Sequence, residues 1–197
     1  LCFGAQYLQH EEADRLADRL ARLGYNSVRL HHYESLLARD PDTTTVFNPE
    51  RLDQLDYLFY ALTRRGIYIT TDLFTSRPVT FREIGVDQQG AVGMDHFKVL
   101  VPVHEGAWEN WKQFGRALLE HINPYTKRRY SDDPALAWLS LINEGNFGNF
   151  FTDIRTIPEW QKAWNAWLAK RYKDRAALEA AWPEEVKENE DPALGSV

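Results

Sequence analysis

Two helical stretches of this chain end on a single glycine and run at once into a β-rich segment, while each such segment opens into a long loop. Ala13, Leu16, Ala17, Leu20 and Leu23 recur at helical spacing, which predicts a helix over about 10–23 closed by Gly24. Val28 and Leu30 then mark a short strand within 25–32. Asn48-Pro49-Glu50 is a helix start, with an N-cap residue, Pro at the first helical position and acid in the first turn. Leu52, Leu55, Leu58, Phe59 and Leu62 carry that helix to Gly66, and 67–73 is a β-branched strand. No clean periodicity governs 74–107, and a loop of that length in a compact domain is usually functional. A helix over about 108–121 leads to Ala135–Ile142, a near-continuous apolar run with the look of a strand buried on both faces. Pro158 opens the last long helix, whose stripe of Trp160, Trp164, Trp167 and Leu168 reads as core, and a shorter helix covers about 174–182.

This alternation is βαβ logic around a parallel sheet. Tight helix-to-strand joints with long strand-to-helix loops are the asymmetry of a (β/α)8 barrel, whose active-site loops follow its strands. The rival is a doubly wound sheet. Its dinucleotide-binding form carries G-x-G-x-x-G after an early strand, and the sequence holds none. A whole barrel takes about 250 residues. The 197 residues here hold three complete strands and the end of another in 1–4. The expected fold is therefore α/β, a partial (β/α)8 TIM barrel of roughly strands one to four. Residues 1–197 form its N-terminal half, with 183–197 a charged tail or inter-element loop.

Lys and Arg number 23 against 29 Asp and Glu, a net charge of −6. A nucleic-acid binder would want a basic face instead. No apolar run approaches the ~20 residues of a membrane span, so neither nucleic acid nor membrane is expected as a partner. One Cys, Cys2, excludes an internal disulfide framework.

Polar residues gather where the three strands end: Arg29, His31, His32 and Glu34, then Asp72, then Asn143, Glu144 and Asn146. In a barrel these positions converge on one pocket. Asn189-Glu190 repeats the Asn143-Glu144 pair in a charged tail, so the dipeptide alone says little and its place after a buried run says more. Glu144 is either a general acid, its carboxyl raised by partial desolvation, or a residue that caps a helix or pairs with Arg. Arg29 alternates with Val28 and Leu30. Inside a barrel it must pair with a carboxylate, for catalysis or for structure alone. Adjacent His31 and His32 point to opposite faces of a strand, and no H-x-x-x-H or Cys pair supports a metal site. One histidine is expected as a pocket hydrogen-bond partner and the other as packed. Asp72 either binds a substrate hydroxyl or caps its loop. Trp108, where the long loop enters its helix, is either a stacking platform or core. All seven Trp lie from Trp108 onward.

The 26–33 segment Asn-Ser-Val-Arg-Leu-His-His-Tyr, the strand from Gly66 to Ile69, and Leu141-Ile142-Asn143-Glu144 resemble successive strands of clan A glycoside hydrolases. The closest flavour is that of large cellulase-like proteins related to families 5 and 42. The stretch Asn123-Pro-Tyr-Thr-Lys-Arg-Arg-Tyr-Ser-Asp-Asp-Pro, and the run from Trp164 to Trp182, carry the likeness over nearly the whole chain to Trp182.

This resemblance implies a retaining β-glycosidase acting on β-linked oligo- or polysaccharides, with no cofactor. It implies that Glu144 is the acid/base carboxyl after strand four and that Asn143 binds the sugar 2-hydroxyl. Arg29 would support the nucleophile, and His32 would be a polar pocket position. Asp72 and Trp108 join them as candidate substrate contacts. The family's nucleophile is a Glu at the end of strand seven, and this chain stops before strand five. Retaining hydrolysis needs two carboxyl groups about 5–5.5 Å apart, so the chain alone is expected to be inactive. Its expected partners are a carbohydrate, the remaining half of the barrel and, in a longer chain, accessory domains. A non-catalytic carbohydrate-binding barrel is the alternative. A metal-dependent barrel enzyme would require convergent His and carboxylate ligands, and none are evident. Polymer degraders are usually exported, so an extracellular or periplasmic location is the expectation.

Overall fold

The computed structural model describes residues 1–2, 4–40, 43–149 and 154–197. Its elements are α1 (His10–Arg22), β1 (Ser27–Leu30), α2 (Glu34–Leu37), α3 (Pro49–Thr63), β2 (Tyr68–Asp72), α4 (Met94–Leu100), α5 (Glu105–Leu119), β3 (Leu136–Ser140), α6 (Pro158–Tyr172) and α7 (Arg175–Ala181). The strands form one parallel sheet in the order β1-β2-β3. Cys2 forms an isolated parallel bridge with His31, just past the end of β1.

The alternation of side chains in β1 divides the sheet into two faces. Val28 and Leu30 are buried against the helices, while Ser27 and Arg29 are exposed on the opposite face. Register places Arg29 beside Thr70, and Thr70 beside Trp138. The Arg29 guanidinium lies 5.8 Å from the centre of the Trp138 ring. These three residues therefore line one row of the inner face. Behind the sheet, Ala13 and Ala17 of α1, Leu55, Leu58 and Leu62 of α3, and Phe114 and Leu118 of α5 close the core. Full burial of each large apolar side chain is worth roughly 1.5–3 kcal/mol.

The helix starts follow their local chemistry. Asn48 accepts from the Glu50 and Arg51 N–H groups at 3.0 and 3.2 Å. His104, which matches no catalytic pattern, caps α5 by accepting from the Ala107 N–H at 3.2 Å. Gly106 follows it, and a Cβ there would stand 1.9 Å from the Ile84 carbonyl oxygen. Only glycine lets α5 approach that turn so closely.

Three readings of the sequence change. The 74–107 segment is an ordered insertion with its own core, built from Phe74, Val79, Ile84, Val92, Phe97 and Leu100. β3 is not buried on both faces: it is the sheet's edge among the described residues, and Trp138 keeps 52% exposure. In α6, Asn165 and Leu168 are buried while Trp164 and Trp167 stay 42% and 48% exposed. The helix docks by its Asn165–Leu168 side, while its indoles stack on one another and on Trp182 at the end of α7 and stay partly in solvent.

The 121–130 segment is fastened to α3 by a repeated arrangement. Asp56, fully buried, accepts the Tyr130 hydroxyl at 2.7 Å and pairs with His121 at 2.8 Å. One turn earlier, Asp53 accepts the Tyr125 hydroxyl at 2.5 Å and pairs with His10 at 2.8 Å. Burial pushes the Asp53 carboxyl up, but the hydrogen bonds from Tyr125 and His10 outweigh it and leave it below its ordinary value of 3.8. A depressed carboxylate contributes stability that is present above its unfolded value and lost as pH falls through its folded one. Asp53→Asn should therefore flatten the loss of thermal stability on acidification below about pH 4, read by circular dichroism. Asp56→Ala strands a buried hydroxyl and an imidazole, and should cost about 2–4 kcal/mol in denaturant unfolding at neutral pH.

Candidate active site

The sheet delivers three strand ends to one place, and a buried carboxylate ties them together. Asp72, the last residue of β2, is 0% exposed. Its carboxylate accepts from Arg29 Nη2 at 2.8 Å and Nε at 3.3 Å, and pairs with His31 Nδ1 at 2.8 Å. The same Nη2 donates to Asn143 Oδ1 at 2.8 Å. Asn143 is held in turn by its backbone N–H, which donates to the Phe74 carbonyl at 2.9 Å. The Tyr33 hydroxyl donates to the Asp72 carbonyl at 2.8 Å. Arg29 and His31 reach Asp72 together because they are two apart on one strand and so share a face. The guanidinium grips Asp72 through Nε and Nη2 together, a two-pronged geometry an ammonium cannot reproduce, and Nη2 also reaches Asn143.

Glu144 follows Asn143 and is exposed. It has φ +53°, and His32 has the same value. Non-glycine residues in this left-handed region store strain, and such residues cluster at functional sites. Here both stand where the chain turns out of a strand. Burial, with the charges of His31 and Lys98, pushes the His32 ring below its ordinary value; Asp72 and Glu144 pull the other way. Burial thus biases the His32 ring toward its neutral form, while both carboxylates act on it.

Glu34 secures the rim. It is buried, and its Oε1 accepts from the Thr75 and Ser76 N–H groups just beyond β2. Arg77, also buried, donates to Thr44 Oγ1 at 2.6 Å and lies 4.6 Å from the centre of the Phe114 ring. Burial lowers its guanidinium to about 10 despite Glu83 and Glu34 nearby. The loops after β1 and β2 thus share a buried strap.

Arg29, Asp72 and Asn143 are brought into direct hydrogen-bonded contact, and His32 and Glu144 stand within electrostatic reach of each other. Asp72 differs from its expected part: both oxygens are taken by Arg29 and His31, so it orients its neighbours and offers a ligand no free face. His31 is the histidine bonded to the cluster, because its parity matches that of Arg29. Trp108 lies outside these contacts among the described residues. It stacks on Trp111 at 5.2 Å on α5, with the Lys112 ammonium over its ring. Sequence reasoning missed Tyr33, Lys98 and Trp138. Only Trp138 had a usable signal, its place in the strand that precedes Asn143.

Among the described residues no group of three His, Cys, Asp or Glu side chains gathers as around a metal ion. No helix there is long and apolar enough to cross a membrane.

Removing Asp72 leaves the Arg29 guanidinium and the His31 ring without their shared acceptor. Asp72→Ala should cost about 2–4 kcal/mol in denaturant unfolding. Arg29→Lys should keep the charge but lose the bridge to Asn143, seen as broadened Asn143 side-chain amide signals by NMR.

No protein-family model matches the sequence, and no curated protein matches it either. Solved structures do. The endo-β-1,4-mannanase from Thermotoga petrophila aligns over 86% of this chain and 39% of its own, with a TM-score of 0.54 and 18% identity. The endo-1,4-β-mannanase from Rhizomucor miehei aligns over 86% and 52%, with a TM-score of 0.53 and 15% identity. A glycoside hydrolase family 5 mannosidase from Rhizomucor miehei aligns over 79% and 46%, with a TM-score of 0.54 and 16% identity. The chain spans about half the length of these proteins or less. Its fold is that of part of a family 5-like (β/α)8 barrel.

Proposed function

We propose that this chain is part of a retaining glycoside hydrolase that cleaves β-linked oligo- or polysaccharides, with Glu144 as its acid/base. The observation that carries the reading is the Arg29 guanidinium bridging Asp72 and Asn143 immediately before Glu144. Two strand ends and the segment after the third are tied together by these hydrogen bonds directly ahead of Glu144, which takes no part in them. The likeness in fold to the mannanases and the mannosidase supports the same substrate class.

In this reading Asn143 donates its amide to the 2-hydroxyl of the sugar in the cleavage subsite. Glu144 protonates the leaving glycosidic oxygen and afterwards takes a proton from the attacking water. Arg29 has a second use: the Nη groups that hold Asp72 and Asn143 also favour an ionised carboxylate placed on the inner face. That carboxylate, the nucleophile, comes from sequence outside these 197 residues, which form the N-terminal half of the barrel. His32 supplies a neutral hydrogen-bonding edge, and Trp108 a platform further from the reacting bond. The polypeptide extended through a whole barrel would meet substrate as a complete enzyme.

Two measurements test this. The purified 197-residue chain should release no aryl group from nitrophenyl β-mannoside or β-glucoside. Turnover that Glu144→Gln abolishes would overturn the need for a second carboxyl. In the extended polypeptide, Glu144→Gln should lower kcat on β-1,4-linked oligosaccharides about 10²–10⁴-fold, with aryl glycosides bearing good leaving groups losing less. Oligosaccharide binding without any hydrolysis would favour a binding barrel instead. Full activity in the Gln variant would remove Glu144 from the mechanism.

A further inference from the structure

Trp111 of α5 stands at the seam between the two cores. Its ring packs on the core behind the sheet and on the core of the insertion after β2. Trp108 stacks on it at 5.2 Å, with the two planes 21° apart. Packing on several sides holds an indole in one rotamer and so fixes the direction of its single donor. That donor, Nε1–H, meets the Leu141 carbonyl at 3.1 Å. Leu141 is the first residue beyond the regular pairing of β2 with β3, which ends at Asp72 and Ser140. Here the chain passes from one core to the other: Leu139 packs on the sheet's core and Ile142 on that of the insertion. Asn143 comes next. Its N–H donates to the Phe74 carbonyl at 2.9 Å, and its Oδ1 accepts from Arg29 at 2.8 Å.

We propose that Trp111 is a positioning residue of the candidate site: by holding the Leu141 carbonyl, its indole N–H sets Asn143 where the Phe74 carbonyl and the Arg29 guanidinium both reach it. One residue, Ile142, separates the carbonyl that Trp111 pins from the amide that Phe74 pins. Each residue has only two soft dihedrals, so fixing the first group narrows where the second can lie. The bond from the indole is exposed, so its net contribution to stability is small and its use is one of direction. Trp111 acts through the main chain of 141–143, not on a ligand. A helix of the outer layer thereby takes part in the geometry of the mouth.

The inference concerns the placement of Asn143 and stands whether or not Glu144 is an acid/base. Its test is amide hydrogen exchange in the 197-residue chain, followed by NMR. Benzothienylalanine installed at position 111 keeps the bicyclic shape and puts sulfur in place of the N–H. In that variant the Asn143 N–H should exchange about 2–10-fold faster, the scale set by the net worth of one hydrogen bond. The Tyr68 and Ile69 N–H groups, bonded to Asn26 and Ala135 at 2.9 and 2.7 Å, should keep their rates. Trp111→Phe also lacks the donor and should show the same selectivity; it decides the matter if the isosteric variant fails to fold. Exchange of Asn143 at the wild-type rate overturns the proposal. So does acceleration of all three amides together, because that marks a role in packing alone.

Discussion

A carboxylate sealed from water at the end of β2 is the group around which the mouth is arranged. Asp72 has no exposure, so its charge is tolerated only because Arg29 and His31 meet both oxygens. That requirement dictates the rest. Arg29 must lie on the inner face, opposite Val28 and Leu30, and β1 and β2 must pair in the register that sets Arg29 beside Thr70. With the guanidinium fixed, the second N–H of Nη2 aims Asn143, the residue just before Glu144. The solvation debt of one aspartate thus becomes the geometry of a site. The indole of Trp138 beneath Arg29 adds a face on which the guanidinium rests.

The architecture was legible in the sequence because its signals were local. Gly24 and Gly66 closed helices at the expected places, and Asn48-Pro49 opened one. The convergence of Arg29, Asp72 and Asn143 followed once the strands were laid parallel. Other features were hidden for definite reasons. In β3 the pairing slips by one residue beside the Ile69–Thr70 step, so Leu136 opposes Ile69 while Trp138 opposes Thr70. Leu136 and Leu139 both pack on the helix side although they are three apart. In a regular strand an odd spacing sends residues to opposite faces, and the run therefore looked apolar all round. Lys98 was invisible because nothing local says which residue of a seven-residue helix will be turned inward. The part played by Asp72 depended on two partners more than forty residues away.

The insertion after β2 behaves as a second, smaller packing unit. Its apolar side chains close on one another, while Glu34 and Arg77 fasten it to the β1 side through buried polar contacts. That division of labour suits a rim. The sheet supplies rigid positions for the polar cluster, and the insertion adds the Phe74 carbonyl that holds Asn143.

Each strand of the sheet pairs with the strand next to it in the chain, and this has a consequence for how the molecule comes into being. The hairpin-free, sequential order β1-β2-β3 lets pairing proceed in the direction of synthesis, with α1 and α3 already available to cover the first pair. The contact between Arg29 and Asn143 spans 114 residues, the widest separation in the polar cluster. It is therefore the step that waits longest for its second partner. That hydrogen bond joins the segment after β3 to the Arg29–Asp72 pair of β1 and β2.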